Sequence, residues 1–155
     1  MSRHGGEDAR RNGWRPTLKI VVDTCVLKLA TLPTRLNPSA LIVQLALHSL
    51  LEWWATPAIV DEYSSVLSDD PEFLAELFAL IRLCYPLTEL GVIRHEPDNR
   101  FVECALAVGA DFLVTVNTAR GHFDRREYGE SKVVTPGVFV NQPRVEHLIS
   151  RLVSA

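Results

Sequence analysis

Four oxygen-bearing side chains stand where the apolar pattern of the sequence ends a strand or begins a helix. They are Asp23, Glu62, Asp98 and Asn117. In a parallel sheet flanked by helices, the carboxyl ends of the strands and the N-termini of the following helices lie at one edge. We therefore expect these four side chains to converge at that edge.

Converging carboxylates repel each other, so such a group is costly unless a cation neutralises it. Oxygen ligands that leave room for several waters suit Mg²⁺ or Mn²⁺. An ion of that kind polarises a phosphoryl oxygen and activates water for in-line attack. The simpler alternative is a set of unrelated helix caps at the surface, and spacing alone leaves it open.

Short apolar runs indicate the strands that would hold these residues. Leu18–Asp23 and Phe112–Val116 are apolar on both faces, which is typical of strands buried inside a parallel sheet. Weaker runs predict short strands near Leu51–Ala55, at Val92-Ile93 and within Val133–Val140, the last followed by a turn.

Helices are predicted between these strands. Prolines at helix starts and apolar residues at helical spacing predict helices at Pro38–Leu47, from Pro57, from Pro71, from Pro97 and at Val145–Leu152. Strands that alternate with helices indicate an α/β sandwich with a mostly parallel central sheet.

The length of 155 residues suits a single domain with its own core. Residues 18–155 are predicted to form it. The polar segment 1–17 is predicted to be a flexible tail, with a basic arm that touches nucleic acid as the alternative. No apolar run reaches the ~18–20 residues of a spanning helix, and the N-terminus lacks the apolar stretch of a signal peptide. We expect neither membrane insertion nor export.

Composition narrows the function further. Cys25, Cys84 and Cys104 are an odd number without metal-ligand spacing, which disfavours a disulfide scaffold and a zinc site and favours the reducing cytoplasm. The net charge is −3, from 16 basic and 19 acidic residues. Any nucleic-acid binding must therefore use a local basic patch.

Three segments carry a resemblance to a known family. They read Ile20-Val-Val-Asp-Thr-Cys-Val-Leu27, Pro57-Ala-Ile-Val-Asp-Glu-Tyr63, and the longer stretch from Pro97-Asp98 to Thr115-Val-Asn117. In order and spacing they resemble the successive motifs of PIN domains, and most closely the VapC-like toxins of bacterial toxin–antitoxin pairs. The resemblance covers about residues 19–140.

This resemblance implies a flavodoxin-like, three-layer α/β/α sandwich with Mg²⁺- or Mn²⁺-dependent ribonuclease activity. The family's metal-binding acids fall on Asp23, Glu62 and Asp98. The last catalytic position falls on Asn117, with Thr115 as the supporting hydroxyl. The resemblance also implies RNA as substrate, an antitoxin protein as partner, and a homodimer.

Two positions depart from the family pattern: Cys25 replaces the usual Asn, and Asn117 replaces the last acid. An amide offers a carbonyl oxygen but no charge, so metal affinity should fall. The runner-up hypothesis is therefore a catalytically weak PIN-like module that binds RNA or protein. A phospho-acceptor receiver domain is disfavoured, since it needs an acid pair after the first strand and only Asp23 is present.

The segment after Asn117 is a candidate RNA-binding loop. Arg120, His122, Arg125 and Arg126 combine phosphate-binding groups beside the predicted metal site. An exposed loop of balanced charge is the open alternative. Asp124 is a minor candidate for the missing carboxylate, and a solvated position is favoured for it.

The remaining polar residues of interest have structural explanations. Asp61 is expected at the surface, Glu103 in solvent or in an ion pair, and Asp111 in a turn at the opposite edge of the sheet. Cys25 is disfavoured as a nucleophile, since no histidine lies near it in sequence. His48, His95 and His122 do not share metal-ligand spacing and are expected to be surface residues.

Overall fold

The computed structural model describes residues 17–32 and 37–154. The predicted tail therefore lies outside the described residues except for Thr17. Of the helices in the described ranges, none combines the length and the apolar character that crossing a membrane requires.

A six-stranded sheet forms the centre of the described chain, in the order β3-β2-β1-β4-β6-β5. The strands are β1 Lys19–Val22, β2 Glu52–Ala55, β3 Arg82–Leu83, β4 Phe112–Val114, β5 Glu127–Tyr128 and β6 Ser131–Val134. Every neighbouring pair is parallel except β5 with β6. The predicted α/β class with a mostly parallel sheet is confirmed.

Seven α-helices and one 3₁₀ turn are described around this sheet. The helices are α1 Thr24–Ala30, α2 Pro38–Leu47, α3 Pro57–Val66, α4 Pro71–Leu80, α5 Asn99–Val108, α6 Pro136–Val140 and α7 Pro143–Ser154, and the 3₁₀ turn is Glu96–Asp98. Helix α5 packs on β1, β2 and β4, whereas α1, α2, α6 and α7 pack on one another and α6 reaches β4. The result is the expected three-layer sandwich.

The chain reverses its direction of travel across the sheet between β1 and β4. These strands pair in parallel with Val22 beside Val114, and the Asp23 amide continues the ladder by donating to the Val114 carbonyl at 2.9 Å. In sheets of this kind, sites form at the carboxyl ends of the strands where the order reverses. Residues that follow β1 and β4 are therefore side by side at the expected place.

Two of the predicted elements differ from the structure. Val92-Ile93 is not a strand, because the Asn99 side chain accepts from the Ile93 amide at 2.8 Å and donates to its carbonyl at 3.0 Å. The turn predicted after β6 is the short helix α6, which Thr135 caps by accepting from the Val138 amide at 3.3 Å.

Candidate metal centre

Asp23 lies at the carboxyl end of β1 with only 6% of its surface exposed. Its Oδ2 accepts a hydrogen bond from the Thr115 hydroxyl at 2.8 Å and from the Cys25 thiol at 3.1 Å. The Thr115 hydroxyl oxygen in turn accepts a hydrogen bond from the backbone N–H of Asn117 at 2.9 Å. Thr115 thus fixes both the carboxylate after β1 and the backbone after β4.

Glu62 reaches the same edge from α3. The Thr56 hydroxyl caps this helix by accepting from the Ile59 amide at 3.2 Å, and Pro57 fits its first turn. The buried Tyr63 hydroxyl donates to the Val22 carbonyl and holds α3 against the end of β1. The neighbouring Glu62 then accepts a hydrogen bond from Thr24, the residue after Asp23.

Asp98 arrives at the site from the start of α5 and is 5% exposed. Its Oδ2 lies 2.8 Å from Nδ1 of His122, which belongs to the loop after β4. The His122 Nδ1 also lies 3.0 Å from Nδ2 of Asn117. A chain of polar contacts therefore runs from Asp23 through Thr115, Asn117 and His122 to Asp98.

One buried aromatic side chain positions the loop that carries Asn117 and His122. Phe123 is 1% exposed and packs edge-to-face on Phe101 of α5, with ring centroids 6.2 Å apart. Its amide donates to the Asn117 carbonyl at 3.1 Å. Phe123 thereby fixes the loop against the helix that Asp98 begins.

The two aspartates do not serve as helix caps. Asp23 and Asp98 occupy the N-cap positions of α1 and α5, yet neither side chain accepts a hydrogen bond from a backbone amide of its helix. Asp70, at the N-cap of α4, does accept one from Phe73 at 3.3 Å. The capping alternative therefore fails for Asp23 and Asp98, whose carboxylates contact Thr115 and Cys25 in one case and His122 in the other.

The carboxylates of the site interact electrostatically. Burial raises the pKa of Glu62; the Thr24 hydrogen bond opposes this, and the charges of Asp23 and Asp98 raise it further. Burial likewise raises the pKa of Asp98, the His122 hydrogen bond lowers it, and the Asp23 charge raises it. Like charges that disfavour each other's ionisation mark a group of converging acids.

Within the described residues, no lysine or arginine forms an ion pair with Asp23, Glu62 or Asp98. Asp23 and Asp98 are buried and Glu62 is partly buried, and carboxylates placed in this way fit a bound divalent ion. The donor set of three carboxylates, one amide and one hydroxyl suits a hard cation such as Mg²⁺ or Mn²⁺.

The structure places the other candidates as follows. Asp61 is exposed, as expected. Glu103 is 7% exposed rather than solvated, and it pairs with Arg100 at 2.9 Å. Burial, followed by the charge of Asp23, raises the pKa of Cys25 to about 11. A thiol with that pKa is protonated at neutral pH and is a poor nucleophile.

The predicted RNA-binding residues lie on the segment between β4 and β5. Arg120, Arg125 and Arg126 are exposed, and the Arg125 guanidinium lies 5.6 Å from the centre of the Tyr128 ring. His122 differs from them, because it is directed inward to Asp98. Asp124 is exposed, and its carboxylate accepts from the Gly121 amide at 3.3 Å, so it closes the loop locally.

Sequence reasoning missed one member of the site, His95. The ligand atoms of His95, Asp98 and His122 all lie within 4.8 Å of one another. His95 is exposed, as expected for a surface histidine, whereas His122 is partly buried and its ring contacts Asp98. The available signal was the three-residue spacing of His95 and Asp98, but only the fold brings His122 to them.

Comparison with known proteins agrees with this geometry. A family model described as a PIN domain matches residues 19–119, and the chain belongs to the PIN-domain family. PIN domains are a nuclease fold whose members typically use divalent metal ions. No curated protein matches the chain in sequence. The matched segment contains Asp23, Glu62, Asp98, Thr115 and Asn117 and ends before Arg120.

Proposed function

We propose that this chain is a Mg²⁺- or Mn²⁺-dependent endoribonuclease whose cation is held by Asp23, Glu62 and Asp98. The observation that carries the proposal is the group of three mutually repelling carboxylates without a lysine or arginine partner in the described chain. The bound cation would polarise a phosphodiester oxygen and lower the pKa of a coordinated water.

The chain's own residues supply orientation. Thr115 holds the Asp23 carboxylate by its hydroxyl, so the ligand is fixed before the ion binds. The backbone N–H of Asn117 is fixed by the Thr115 hydroxyl, and its side-chain amide is fixed by His122. This placement suits the Asn117 side chain to orient a water in the site. Ligands fixed in advance lose less freedom on binding.

RNA is the proposed substrate, and the loop after β4 is its proposed contact. Arg120, Arg125 and Arg126 are exposed on one short segment next to Asn117. Arginine binds phosphate oxygens, and the contact of the Arg125 guanidinium with the buried Tyr128 ring helps to hold this arginine on the loop. His122 contributes to the metal side of this loop, because its ring is directed to Asp98.

The second candidate is a PIN module that binds RNA or protein without cleaving RNA. One observation favours it: the position of the family's last acid is the neutral Asn117, whose amide nitrogen already faces His122. A weaker cation site would follow from the missing charge. The two candidates differ in whether RNA is cut when the cation is present.

An apolar strip beside β3 supports a protein partner. Leu83 ends the edge strand β3 and is 46% exposed, and Tyr85 and Leu87, which follow it in the chain, are 69% and 102% exposed. Exposed apolar groups beside an edge strand are typical of interaction surfaces. We propose a second copy of this chain as the occupant, and Leu87→Ser should shift a sedimentation profile from dimer to monomer.

A VapC-like toxin role, with an antitoxin partner in the cytoplasm, is the finer proposal. It is supported by the motif pattern around Asp23, Glu62 and Asp98 and by free thiols at Cys25, Cys84 and Cys104. The product of a small adjacent reading frame should bind the purified chain and suppress its RNA cleavage. An adjacent product without either effect would contradict the toxin role.

Two neighbouring acids on α3 provide the test of the nuclease proposal. Glu62→Gln removes a proposed ligand, whereas Asp61→Asn removes the same charge from an exposed position one residue away. We expect Glu62→Gln to lower the Mn²⁺-dependent cleavage rate by ~100-fold or more, because cation stabilisation amounts to several kcal/mol. Asp61→Asn should cleave like the wild type. Wild-type protein that binds RNA but leaves it intact with Mn²⁺ would support the binding module instead.

A further inference from the structure

Two loops meet beside the three-carboxylate group and bring two imidazoles to Asp98. The His95 amide donates to the Gly121 carbonyl at 3.0 Å, which ties the segment before α5 to the loop after β4. The Asp98 amide donates to the His95 carbonyl, also at 3.0 Å. His95, Asp98 and His122 are thus held together by backbone bonds and do not depend on side-chain contacts alone.

We propose that His95, Asp98 and His122 form a binding site for a zinc-class divalent ion. The site goes beyond the proposed Mg²⁺/Mn²⁺ nuclease function and does not rest on it. Its ligand set contains two imidazoles, which suit Zn²⁺, Co²⁺ and Ni²⁺, whereas Mg²⁺ is bound through oxygen and water. Only the carboxylate of Asp98 belongs to both sites.

The separations of the ligand atoms fit such an ion after a small side-chain movement. The three ligand atoms lie within 4.8 Å of one another, and the two imidazole rings are 4.9 Å apart at 45°. Zinc–ligand bonds of about 2.0–2.2 Å place tetrahedral ligands ~3.3 Å apart. His95 is exposed, so rotation of its side chain closes the remaining gap without disturbing the core.

A second observation points to a ligand at this place. Nδ1 of His122 faces both Asp98 Oδ2 at 2.8 Å and Asn117 Nδ2 at 3.0 Å. This nitrogen carries either one proton or one lone pair, so it satisfies a carboxylate or an amide donor but not both. If the side-chain amide of Asn117 is turned over, its oxygen faces Nδ1, and one Nδ1 proton then lies between two acceptors, this oxygen and Asp98 Oδ2. A cation between Nδ1 and Oδ2 binds both lone pairs at once.

Three protein ligands leave at least one coordination position open. Because Asp98 belongs to both groups, an ion held by the two histidines withdraws that carboxylate from Asp23 and Glu62. Zinc-class and hard cations should therefore compete, and micromolar Zn²⁺ should reduce the thermal stabilisation that Mg²⁺ gives. The two histidines thus make the site sensitive to which metal is available.

Cobalt is the spectroscopic probe of choice, since its visible absorption reports coordination. Tag-free full chain should bind one Co²⁺ with the d–d bands of a four- or five-coordinate nitrogen and oxygen site. Zn²⁺ should displace it, and millimolar Mg²⁺ should not. His95→Ala and His122→Asn should each weaken Zn²⁺ binding by at least about tenfold, since losing even a supporting residue of a metal site lowers affinity roughly 10–100-fold.

His147→Ala is the matched control, because His147 is exposed on α7, far from both loops in sequence. It should bind Co²⁺ and Zn²⁺ like the wild type. Unchanged Zn²⁺ affinity in both His95→Ala and His122→Asn would overturn the proposal. So would a thiolate-to-cobalt charge-transfer band, which would place the ion at Cys84 and Cys104, whose Sγ atoms are 3.3 Å apart.

The outcome is independent of the nuclease proposal. Asp23→Asn and Glu62→Gln remove ligands of the hard-cation site only, so both variants should keep the cobalt spectrum. Failure of RNA cleavage with an intact cobalt site contradicts the nuclease alone. The zinc-class site alone is contradicted if the chain cleaves RNA with Mg²⁺ but binds Zn²⁺ no more tightly than Mg²⁺.

Discussion

The acidic residues at the two ends of the sheet have different partners. At the amino end of β4, the Asp111 carboxylate accepts from the Lys19 amide at 2.9 Å and pairs with Arg144 at 3.3 Å. At the carboxyl ends, Asp23, Glu62 and Asp98 are coupled to one another, and their described partners are hydroxyl, thiol and imidazole groups. Among the described residues, an arginine compensates the acid at one end, whereas no lysine or arginine pairs with the acids at the other.

This difference separates an acid that stabilises the fold from the acids of the proposed cation site. A carboxylate that accepts backbone and guanidinium hydrogen bonds stabilises the fold. Acids that are buried together destabilise it until something else neutralises them, and such strain is typical of binding sites. The carboxyl edge is therefore expected to respond to cations, and the amino edge is not.

The largest effect should come from removing an aromatic anchor at either end. Phe123 supports the loop at the carboxyl edge, and Phe139 packs on Phe112 with ring centroids 5.4 Å apart. Both are essentially buried, so Phe123→Ala and Phe139→Ala should each lower the free energy of unfolding by about 3–5 kcal/mol. Only Phe123→Ala should also weaken cation binding. Urea unfolding and a Mn²⁺ titration of both variants measure this, and equal Mn²⁺ affinities would show that the anchor does not position the site.

The next effect is stabilisation by the cation itself. Mn²⁺ at a hundredfold excess over its Kd should raise the free energy of unfolding by ~2.7 kcal/mol, because it binds the folded state only. Asp23→Asn should lose most of this gain, whereas Asp111→Asn should keep it. Thermal melts with and without Mn²⁺ are the measurement. A gain that survives in Asp23→Asn would remove that residue from the ligand set.

A smaller effect is expected at the compensated end. Asp111→Ala should cost about 1 kcal/mol, since it loses the backbone hydrogen bond from Lys19 and a partly exposed ion pair with Arg144. Arg144→Ala removes the ion pair but keeps the Lys19 hydrogen bond, and it should cost less, because exposed pairs contribute little. Urea unfolding of both variants measures the two losses of stability. A greater loss in Arg144→Ala than in Asp111→Ala would contradict this prediction.

In the metal-free protein, Glu62 and Asp98 should contribute a pH dependence of stability opposite in sign to that of salt-bridged acids. Glu62 and Asp98 have raised pKa values, so the folded state binds protons more tightly than the unfolded one. The contribution of these two groups to stability should then be fully present below the ordinary values of 4.5 and 3.8 and should be lost as pH rises through the raised values. Glu62→Gln should lessen the fall and stabilise the metal-free fold by a few tenths of a kcal/mol after solvent screening. Thermal melts of Glu62→Gln and of the control Asp61→Asn from acid to neutral pH are the measurement. Equal slopes of stability against pH in the two variants would contradict the role of Glu62.

Most of the fold was predictable because local signals and burial agree. The buried run at β1, the prolines at the starts of α2 and α3, and Gly109 in a left-handed conformation after α5 all act within a few residues. The strand prediction at Val92-Ile93 was wrong because the backbone N–H and C=O of Ile93 bond to the side chain of Asn99 and not to a neighbouring strand. An apolar pair in the sequence does not reveal that contact. Strand β3 has two exposed residues and no burial pattern to detect.

The site was predictable to the extent that topology determines it. The positions of Asp23 and Asn117 follow from strands that must end at one edge, and Glu62 follows from the helix after β2. The contact of His122 with Asp98 spans 24 residues, and it depends on Phe123 turning the loop onto α5. Pattern and spacing do not encode a contact made through a third residue.

The smallest net effect is expected where the chain departs from its family. Asn117→Asp adds a carboxylate of nearly the same size beside His122, at a backbone position that Thr115 already fixes. Without metal, the new charge repels Asp23, Glu62 and Asp98, so the fold should lose stability. With Mn²⁺, affinity should rise because oxygen sites bind more tightly as ligand charge increases.

At intermediate Mn²⁺ concentrations the two contributions to Asn117→Asp nearly cancel, so a single melting curve would look like that of the wild type. A titration separates them, because the variant should start below the wild type and end above it. The matched substitution Asn141→Asp, at the exposed end of α6, adds the same charge far from the acidic edge in sequence and should leave the Mn²⁺ response unchanged. Parallel titration curves for Asn117→Asp and the wild type would remove Asn117 from the cation site and leave the three carboxylates as its ligands.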